Sequence, residues 1–499
     1  MDFWIGDIME SYGYATELEY VDDFIPALNP LWIDFSLNLA GLERYHSKES
    51  RQRFRYLELG FGMGNSLTLH ASCSEGEFVG NDFMPAHCQH AQAFIAASQS
   101  CAQVYPEDFL RLKERLRREN LKFDIIALHG IWSWISKENQ KIILEIITHH
   151  LSEGGAVYIS YNCFPGWEGK YSLRHLLKIY ESQASGDQES RIKQTIHWTQ
   201  NLFASKSLYI EQNPRTQEIH QELQTREINY LCHEFFNQDW HCMFFSEMAR
   251  ILHNAQCEFG ASAKLMWHFD PLTFNAQQKQ LLAEARDSLL QEQLKDYFLN
   301  ESFRMDIFVK GAKQLTRQER EKKLLHTAFV LLKAPFGFQN ASETPLEFQA
   351  LCQRILEFFA KDSFSPKTLQ SLVESFDVEI NVLLPIVCAM MTQGFLHPTQ
   401  PINPKILAQA KAHNQALFAQ KRQKGTQRFL AAPLIGGGIY VEEMTWTCLK
   451  ASAQGILEKE SLKEFVCNAI PNLPKESLET CVEQFLNTRK LYQTLGILD

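Results

Sequence analysis

Short apolar runs alternate with helical stretches along the first part of the chain, in the rhythm of a parallel sheet. Arg55-Tyr-Leu-Glu-Leu59 and Glu77-Phe-Val-Gly-Asn81 read as buried strands, with a helix over 65–74 between them. The pattern repeats as a helix over 86–98, a strand over 102–105, a helix over 110–119, the strand Phe123-Asp-Ile-Ile-Ala-Leu-His129, a helix over 137–151 and a strand over 154–161. Strands joined through helices run parallel, because a parallel pair needs a crossover connection. The class is therefore α/β, with a doubly wound sheet.

Past Trp167 the periodicity turns helical, over 170–182, 189–205 and 216–235, and a helix over 244–254 precedes two last strands at 257–262 and 303–309. Beyond Thr316 strand signal is scarce, and amphipathic helices are predicted over 317–332, 345–361 and 366–376. These shifts divide the chain into a sheet-bearing unit 1–312 with a helical insertion at about 170–243, a helical unit 313–400 and a final unit 401–499. The last two part at the proline-flanked His397-Pro-Thr-Gln-Pro401, a linker-like junction, and Gly436-Gly-Gly438 reads as a hairpin or loop. Ahead of the first strand, a helix is expected over 30–42, and the aromatic-rich stretch 12–30 reads either as packing on the sheet or as a lid over a ligand mouth.

The first strand runs straight into Gly60, Gly62 and Gly64. Without a Cβ, such a turn folds tightly and lets backbone meet a ligand at van der Waals distance. A dinucleotide turn needs G-x-G-x-x-G, and Asn65 stands where its third glycine belongs; no Gly-Lys-Ser/Thr follows, which excludes the P-loop. Asp82, about 20 residues past the turn at the end of the second strand, is where nucleotide folds place the acid that holds a ribose diol. Ligands of such sheets lie at the carboxyl ends of the strands. At those ends Asp108 is placed to accept from an adenine amino group, Phe83 or Phe109 to cover a ring face, and His129, Trp132, Tyr161 and Asn162 to face the reacting group.

Composition narrows the function. A net charge of −10 and a pI near 6.0 argue against a general nucleic-acid binder, and the basic runs 310–323 and 421–428 carry no interleaved aromatics. Twelve cysteines without a C-x-x-C pair fit reduced thiols in the cytosol. Cys232-His233-Glu234 has no second ligand cluster at zinc spacing, so no metal site is predicted. No run reaches the ~18 apolar residues of a membrane span, and a cytoplasmic location is expected.

The motif E-x-G-x-G-x-G over 58–64 resembles motif I of the class I S-adenosylmethionine (SAM) methyltransferases. Together with Glu17-Leu-Glu-Tyr20, Asn81-Asp-Phe83, Leu128-His-Gly-Ile-Trp-Ser-Trp134, Tyr158-Ile-Ser-Tyr-Asn162 and Pro165-Gly-Trp167, it is similar to bacterial class I methyltransferases that carry a methyltransferase regulatory domain. Some of these are rickettsial-type protein lysine methyltransferases with winged-helix-like C-terminal domains. The resemblance implies a Rossmann-like sheet and SAM held by Glu58, Gly60, Gly62, Asp82 and Asp108, with S-adenosylhomocysteine as product; Gly64, Phe83 and Phe109 join the cofactor-binding set from their place in the turn and at the strand ends. It points to a protein lysine as acceptor and carries over no catalytic base; read from their placement at the strand ends, Trp132 and Tyr161 would desolvate the amine of such a lysine, with His129 beside them as a further catalytic candidate. A small-molecule acceptor, or a SAM-binding scaffold without catalysis, are the alternatives. Asp22-Asp-Phe-Ile25 departs from the family's Gly-Tyr-Tyr-type segment, which bears on the lid rather than on the fold.

Overall fold

The computed structural model describes residues 23–45, 53–334, 346–420, 428–470 and 473–499. Of the stretch read as a lid, only Asp23 onward is described; Glu17–Tyr20 and the basic run up to Gln427 lie outside the described residues.

Seven strands form the central sheet: β1 (Arg55–Leu59), β2 (Glu77–Asn81), β3 (Ala102–Tyr105), β4 (Phe123–Leu128), β5 (Leu151–Asn162), β6 (Glu258–Ser262) and β7 (Phe303–Val309). Their order is β3-β2-β1-β4-β5-β7-β6. The first five run parallel, and β7 pairs antiparallel with both β5 and β6. The order reverses between β1 and β4, so the crevice that binds ligands in such sheets opens beyond Leu59 and Leu128.

Strand period sorts the sheet's side chains into two layers. Tyr56, Ile125, Ala127, Ala156 and Tyr158 enter one apolar cluster; Leu57, Leu59, Ile126, Leu128, Val157, Ile159 and Tyr161 enter the other. Helices α1 (Pro30–Leu39), α2 (Asn65–Cys73) and α3 (Pro85–Ser98) cover the first face; α4 (Phe109–Glu119), α5 (Lys137–His150) and α11 (Phe245–His253) cover the second. Between β5 and α11 stand α6 (Glu168–Gln183), α7 (Gln188–Ala204), α8 (Leu208–Gln212), α9 (Thr216–Thr225) and α10 (Ile228–Phe235), with their own core around Trp167, Leu177 and Phe235. The single helix expected over 216–235 is broken at Arg226-Glu227, where Arg226 is extended and its N–H caps α9 on Glu222 O.

The C-terminal part holds more strand than its mainly helical reading. The helix predicted over 317–332 stops at His326, and Ala328–Leu331 forms a strand, β8, between β9 (Lys367–Thr368) and β10 (Leu396–Pro398). Phe329, Val330 and Leu331 are all fully buried, a continuous apolar run that a three-residue-wide helix stripe would not bury. The expected linker at 397–401 is not one: His397 and Pro398 are buried in β10, and Gln400 Nε2 donates to Cys73 O (2.6 Å) and Pro433 O (3.0 Å). Gly436–438 opens a hairpin of β11 (Phe429–Ala432) and β12 (Gly437–Tyr440) that lies directly on α2. A Cβ on Gly438 would stand 2.8 Å from Leu69 Cδ1, so glycine here serves close approach rather than ligand binding. One cluster of buried side chains runs without a break from Phe24, Tyr56 and Leu69 into Phe429, Leu430 and Leu495.

Candidate functional site

The glycine turn after β1 holds Gly60, Gly62 and Gly64 at φ of +65°, +60° and +78°, a region that costs any side chain roughly 1–2 kcal/mol. Gly60 N–H and Phe61 N–H donate to Asn81 O (2.9 and 3.2 Å), tying the turn to the end of β2. Asp82 completes the tie. Its Oδ2 accepts from Gly62 N–H (2.9 Å), while Oδ1 accepts from Met84 N–H (2.9 Å) and meets His87 Nδ1 (3.0 Å). A carboxylate offers about four acceptor sites, so Asp82 still has capacity toward a ligand while anchoring the loop.

These residues line one cleft at the switch point, which encloses about 1460 Å³ of empty space including its open mouth. Glu58, Gly60, Gly62, Asp82, Phe83, Asp108, Phe109 and His129 all border it, as do Asn81, Met63, Glu107, Ile131, Trp134 and Tyr230. Gly64 sits just behind, as the N-cap of α2, with its absent Cβ 2.8 Å from Ala91. Asp108 caps α4 through Arg111 N–H (2.8 Å) and faces the cleft from there. Asp23, Ile25 and Leu28 close the side nearest the N-terminus, with Ile25 N–H on Ser66 Oγ (2.9 Å) and Asn65 Nδ2 on Asp23 O (3.0 Å).

Two buried polar groups define the chemistry the cleft suits. Glu58 is 4% exposed; burial pushes its carboxyl up to about 8, against the opposing hydrogen bond from Tyr56 Oη (3.2 Å). A buried acid of this kind is completed by a cation. Asn81 Oδ1, 1% exposed on the cleft wall, accepts no hydrogen bond from within the protein and suits a donor on a ligand. An ammonium and a hydroxyl-bearing or amino-bearing ring are both present in SAM, and the donor set therefore fits it.

The candidate catalytic residues separate. His129 faces the cleft, with Nδ1 2.9 Å from Tyr158 Oη, and burial lowers it to about 4, so it stands neutral. Trp132 and Tyr161 do not face it. Trp132 is 1% exposed among Ile143 and the β4 side chains, and its place on the wall is taken by Trp134. Tyr161 is fully buried, its Oη donating to Asp306 Oδ2 (2.7 Å) beside the Arg304 guanidinium, which is itself bound to Asp306 and Asp296. The reason is the strand's period of two: neighbours on β5 point to opposite faces, so Asn162 reaches a cavity and Tyr161 cannot. Tyr161→Ala should accordingly cost about 3–5 kcal/mol of stability, read as a lower urea midpoint; an unchanged midpoint would contradict the buried role.

A second cavity adjoins the first and shares His129, Gly130, Trp134 and Tyr230 with it. Asn162, Trp167, Lys170, Glu222, Glu234 and Phe303 form its remaining polar and aromatic walls, largely from the helical insertion. Of these, the sequence marked Asn162 as a site residue and Trp167 within the family motif; it weighed Glu234 only as a metal ligand beside Cys232 and His233, and Glu222 carried no spacing that distinguishes it from a solvated helix residue.

Residues 227–310 match the family described as a predicted methyltransferase regulatory domain. Over 477 residues the chain is 30% identical to the protein sll1526 of Synechocystis sp., covering 94% of this chain and 92% of that one. The chain belongs to the class I methyltransferases that carry this regulatory domain. The Rickettsia prowazekii protein RP028 is 30% identical over 189 residues, 37% of this chain and 73% of the relative. The structure of PKMT2 from Rickettsia typhi in complex with AdoHcy superposes with a TM-score of 0.69 over 96% of this chain and 99% of that one, at 16% identity. The fold thus extends through the C-terminal part. The regulatory-domain match spans α10 to β7 of the central sheet.

Among the described residues no helix is long and apolar enough to cross a membrane.

Proposed function

We propose that this methyltransferase binds SAM in the switch-point cleft and transfers its methyl group to a lysine side chain of a protein. The observation that carries the reading is the meeting of two cavities at His129, Gly130, Trp134 and Tyr230, one with the glycine turn and one with aromatic and acidic walls. In the first, Glu58 is placed for the ammonium of the cofactor, the Gly60–Gly64 backbone for close contact, Asp82 for the ribose diol, Asp108 for the adenine amino group, and Phe83 and Phe109 for its ring faces. The PKMT2 structure contains AdoHcy, which supports that assignment. When bound, SAM supplies an electrophilic methyl on sulfur. The protein's part is to align an amine with it, keep water out and leave the amine unprotonated. His129, held neutral, adds no positive charge that would oppose a cationic acceptor.

Glu58 gives this reading a signature in pH. Its folded value lies above that of an unfolded glutamate, so below about 4.3 its burial costs the fold no charge. That advantage is lost as pH rises through about 8. An ammonium docking beside it favours the carboxylate, so at neutral pH SAM binding should release about one proton. Affinity should then rise between about pH 6 and 8, and Glu58→Gln should flatten both effects. Calorimetry in buffers of different ionisation enthalpy reads the proton directly; no buffer dependence would remove Glu58 from the ammonium site.

The acceptor is tested with methyl-labelled SAM, the full-length chain and a lysate of the source organism, followed by acid hydrolysis of the protein fraction. Label recovered as methyllysine is the expected result. Label only in a small metabolite replaces the acceptor, and bound SAM with no transfer under any condition leaves a SAM-binding scaffold.

A further inference from the structure

The second cavity carries an inference that rests on the lysine reading and goes further than it. Its floor is Asn162 at the end of β5, 2% exposed, whose side chain hydrogen-bonds Glu234. The amide thereby fixes one side of the Glu234 carboxylate at the cavity wall and leaves its remaining acceptor sites for a ligand. Beside it stand two carboxylates of the helical insertion, Glu234 on α10 and Glu222 on α9. The cations nearby act on Glu234 through space while their close contacts go to other groups. Lys170 Nζ lies 2.5 Å from Glu218 Oε2, and Arg174 stacks over Trp240 at 4.4 Å while donating to Asn237 O (3.2 Å). Trp134 and Tyr230 stand where this cavity opens into the cofactor cleft.

We infer that this cavity is the acceptor-lysine channel, in which Glu234 binds the incoming ammonium and takes its proton, with Glu222 as a second anionic contact. Trp134 and Tyr230 flank the alkyl stem, an arrangement that suits a cation on its way to an apolar reaction site. The proton balance is explicit: the acceptor's N–H bond breaks, a Glu234 O–H bond forms, and the freed nitrogen lone pair takes the methyl. The S–C bond pair stays on sulfur in S-adenosylhomocysteine, and the Glu234 proton leaves to water. Electrostatics suits the task. Burial, reinforced by Glu222 and opposed by Arg174, Asn162 and Lys170, raises Glu234 to about 7, near the range where a general base works best. Although burial and Glu222 dominate, Glu234 keeps partial contact with the cavity, as a proton acceptor must.

N-acetyl-lysine methylamide, titrated calorimetrically at millimolar concentrations into the full chain saturated with S-adenosylhomocysteine, tests the channel without turnover. Wild type should bind it, the norleucine analogue without an ammonium should not bind, and Glu234→Gln should weaken it at least tenfold. Under turnover, kcat/KM should rise with pH through an acid limb near 7, and Glu234→Gln should lose that limb. No binding to wild type, or equal binding and an unchanged pH profile in Glu234→Gln, overturns the inference. S-adenosylhomocysteine affinity and the melting midpoint show that the variant is folded. A wild-type chain that binds no S-adenosylhomocysteine, or methylates no lysine, instead refutes the proposed function.

Discussion

A chain ended at residue 400 is expected to lose cooperative folding altogether, rather than to survive as a SAM-binding fragment. The sequence pattern places a boundary there, but the hydrophobic cluster around α2 continues into the last hundred residues. Phe24 packs on Phe429 and Tyr440, with ring centroids 6.3 and 5.6 Å apart, and Asn29 Nδ2 donates to Ile435 O (2.9 Å). Ser74 Oγ donates to Gly436 O (3.3 Å), and Gln409 Nε2, on the helix Pro404–Ala419, to Gln99 O (2.7 Å). Tyr440 Oη donates to Asp23 Oδ1 (2.6 Å), and Asp23 itself borders the cofactor cleft. Each large apolar side chain uncovered costs about 1.5–3 kcal/mol, and a domain is stable by only about 5–15 kcal/mol. Uncovering Phe24, Leu69, Phe94 and the other apolar side chains that the hairpin and the helix Pro404–Ala419 cover on α2 and α3 therefore takes up most of that margin. Thermal unfolding of the 1–400 chain should show no cooperative transition; a soluble fragment with a sharp transition and wild-type SAM affinity would show that the C-terminal part is dispensable.

Asp82→Ala carries the second large effect, a loss of SAM affinity of about 10–100-fold, or about 1.4–2.7 kcal/mol. Two roles are removed at once. The ligand loses its diol acceptor, and Gly62 N–H and Met84 N–H lose the oxygens that fix the turn in its left-handed conformation. Asp82→Asn keeps one acceptor oxygen but turns an amide N–H₂ toward donors on the other side, so an intermediate loss is expected. Calorimetry with SAM, read beside the melting midpoint, separates the roles: a loss confined to affinity marks the diol, a loss of both marks the turn. Affinity equal to wild type would place the ribose elsewhere.

What was legible in the sequence follows from how local its cause is. The glycine spacing, the strand ending in Asp82 and the five parallel strands are set by neighbouring residues, and the sheet lies where those runs stand. Side-chain direction at the strand ends is set by the pleat, which assigns Asn162 and Tyr158 to one face and Tyr161 to the other. Reading Tyr161 and Asn162 as joint neighbours of the reacting group overlooked that alternation. Trp132 and Trp134 flank a single 3₁₀ turn, and which of them turns outward depends on packing against α5 that no spacing encodes. Glu222 and Glu234 sit on separate short helices and come together only because the insertion folds back over β5. The strand at 328–331 was hidden by the helix before it; its edges are satisfied by residues some 40 and 70 positions away.

The claim beneath all of these is that the switch-point cleft takes SAM. Parallel calorimetric titrations of the full chain with SAM and with NAD test it most directly. Micromolar binding of SAM, with none of NAD, is the predicted result, and binding of NAD without SAM would contradict it.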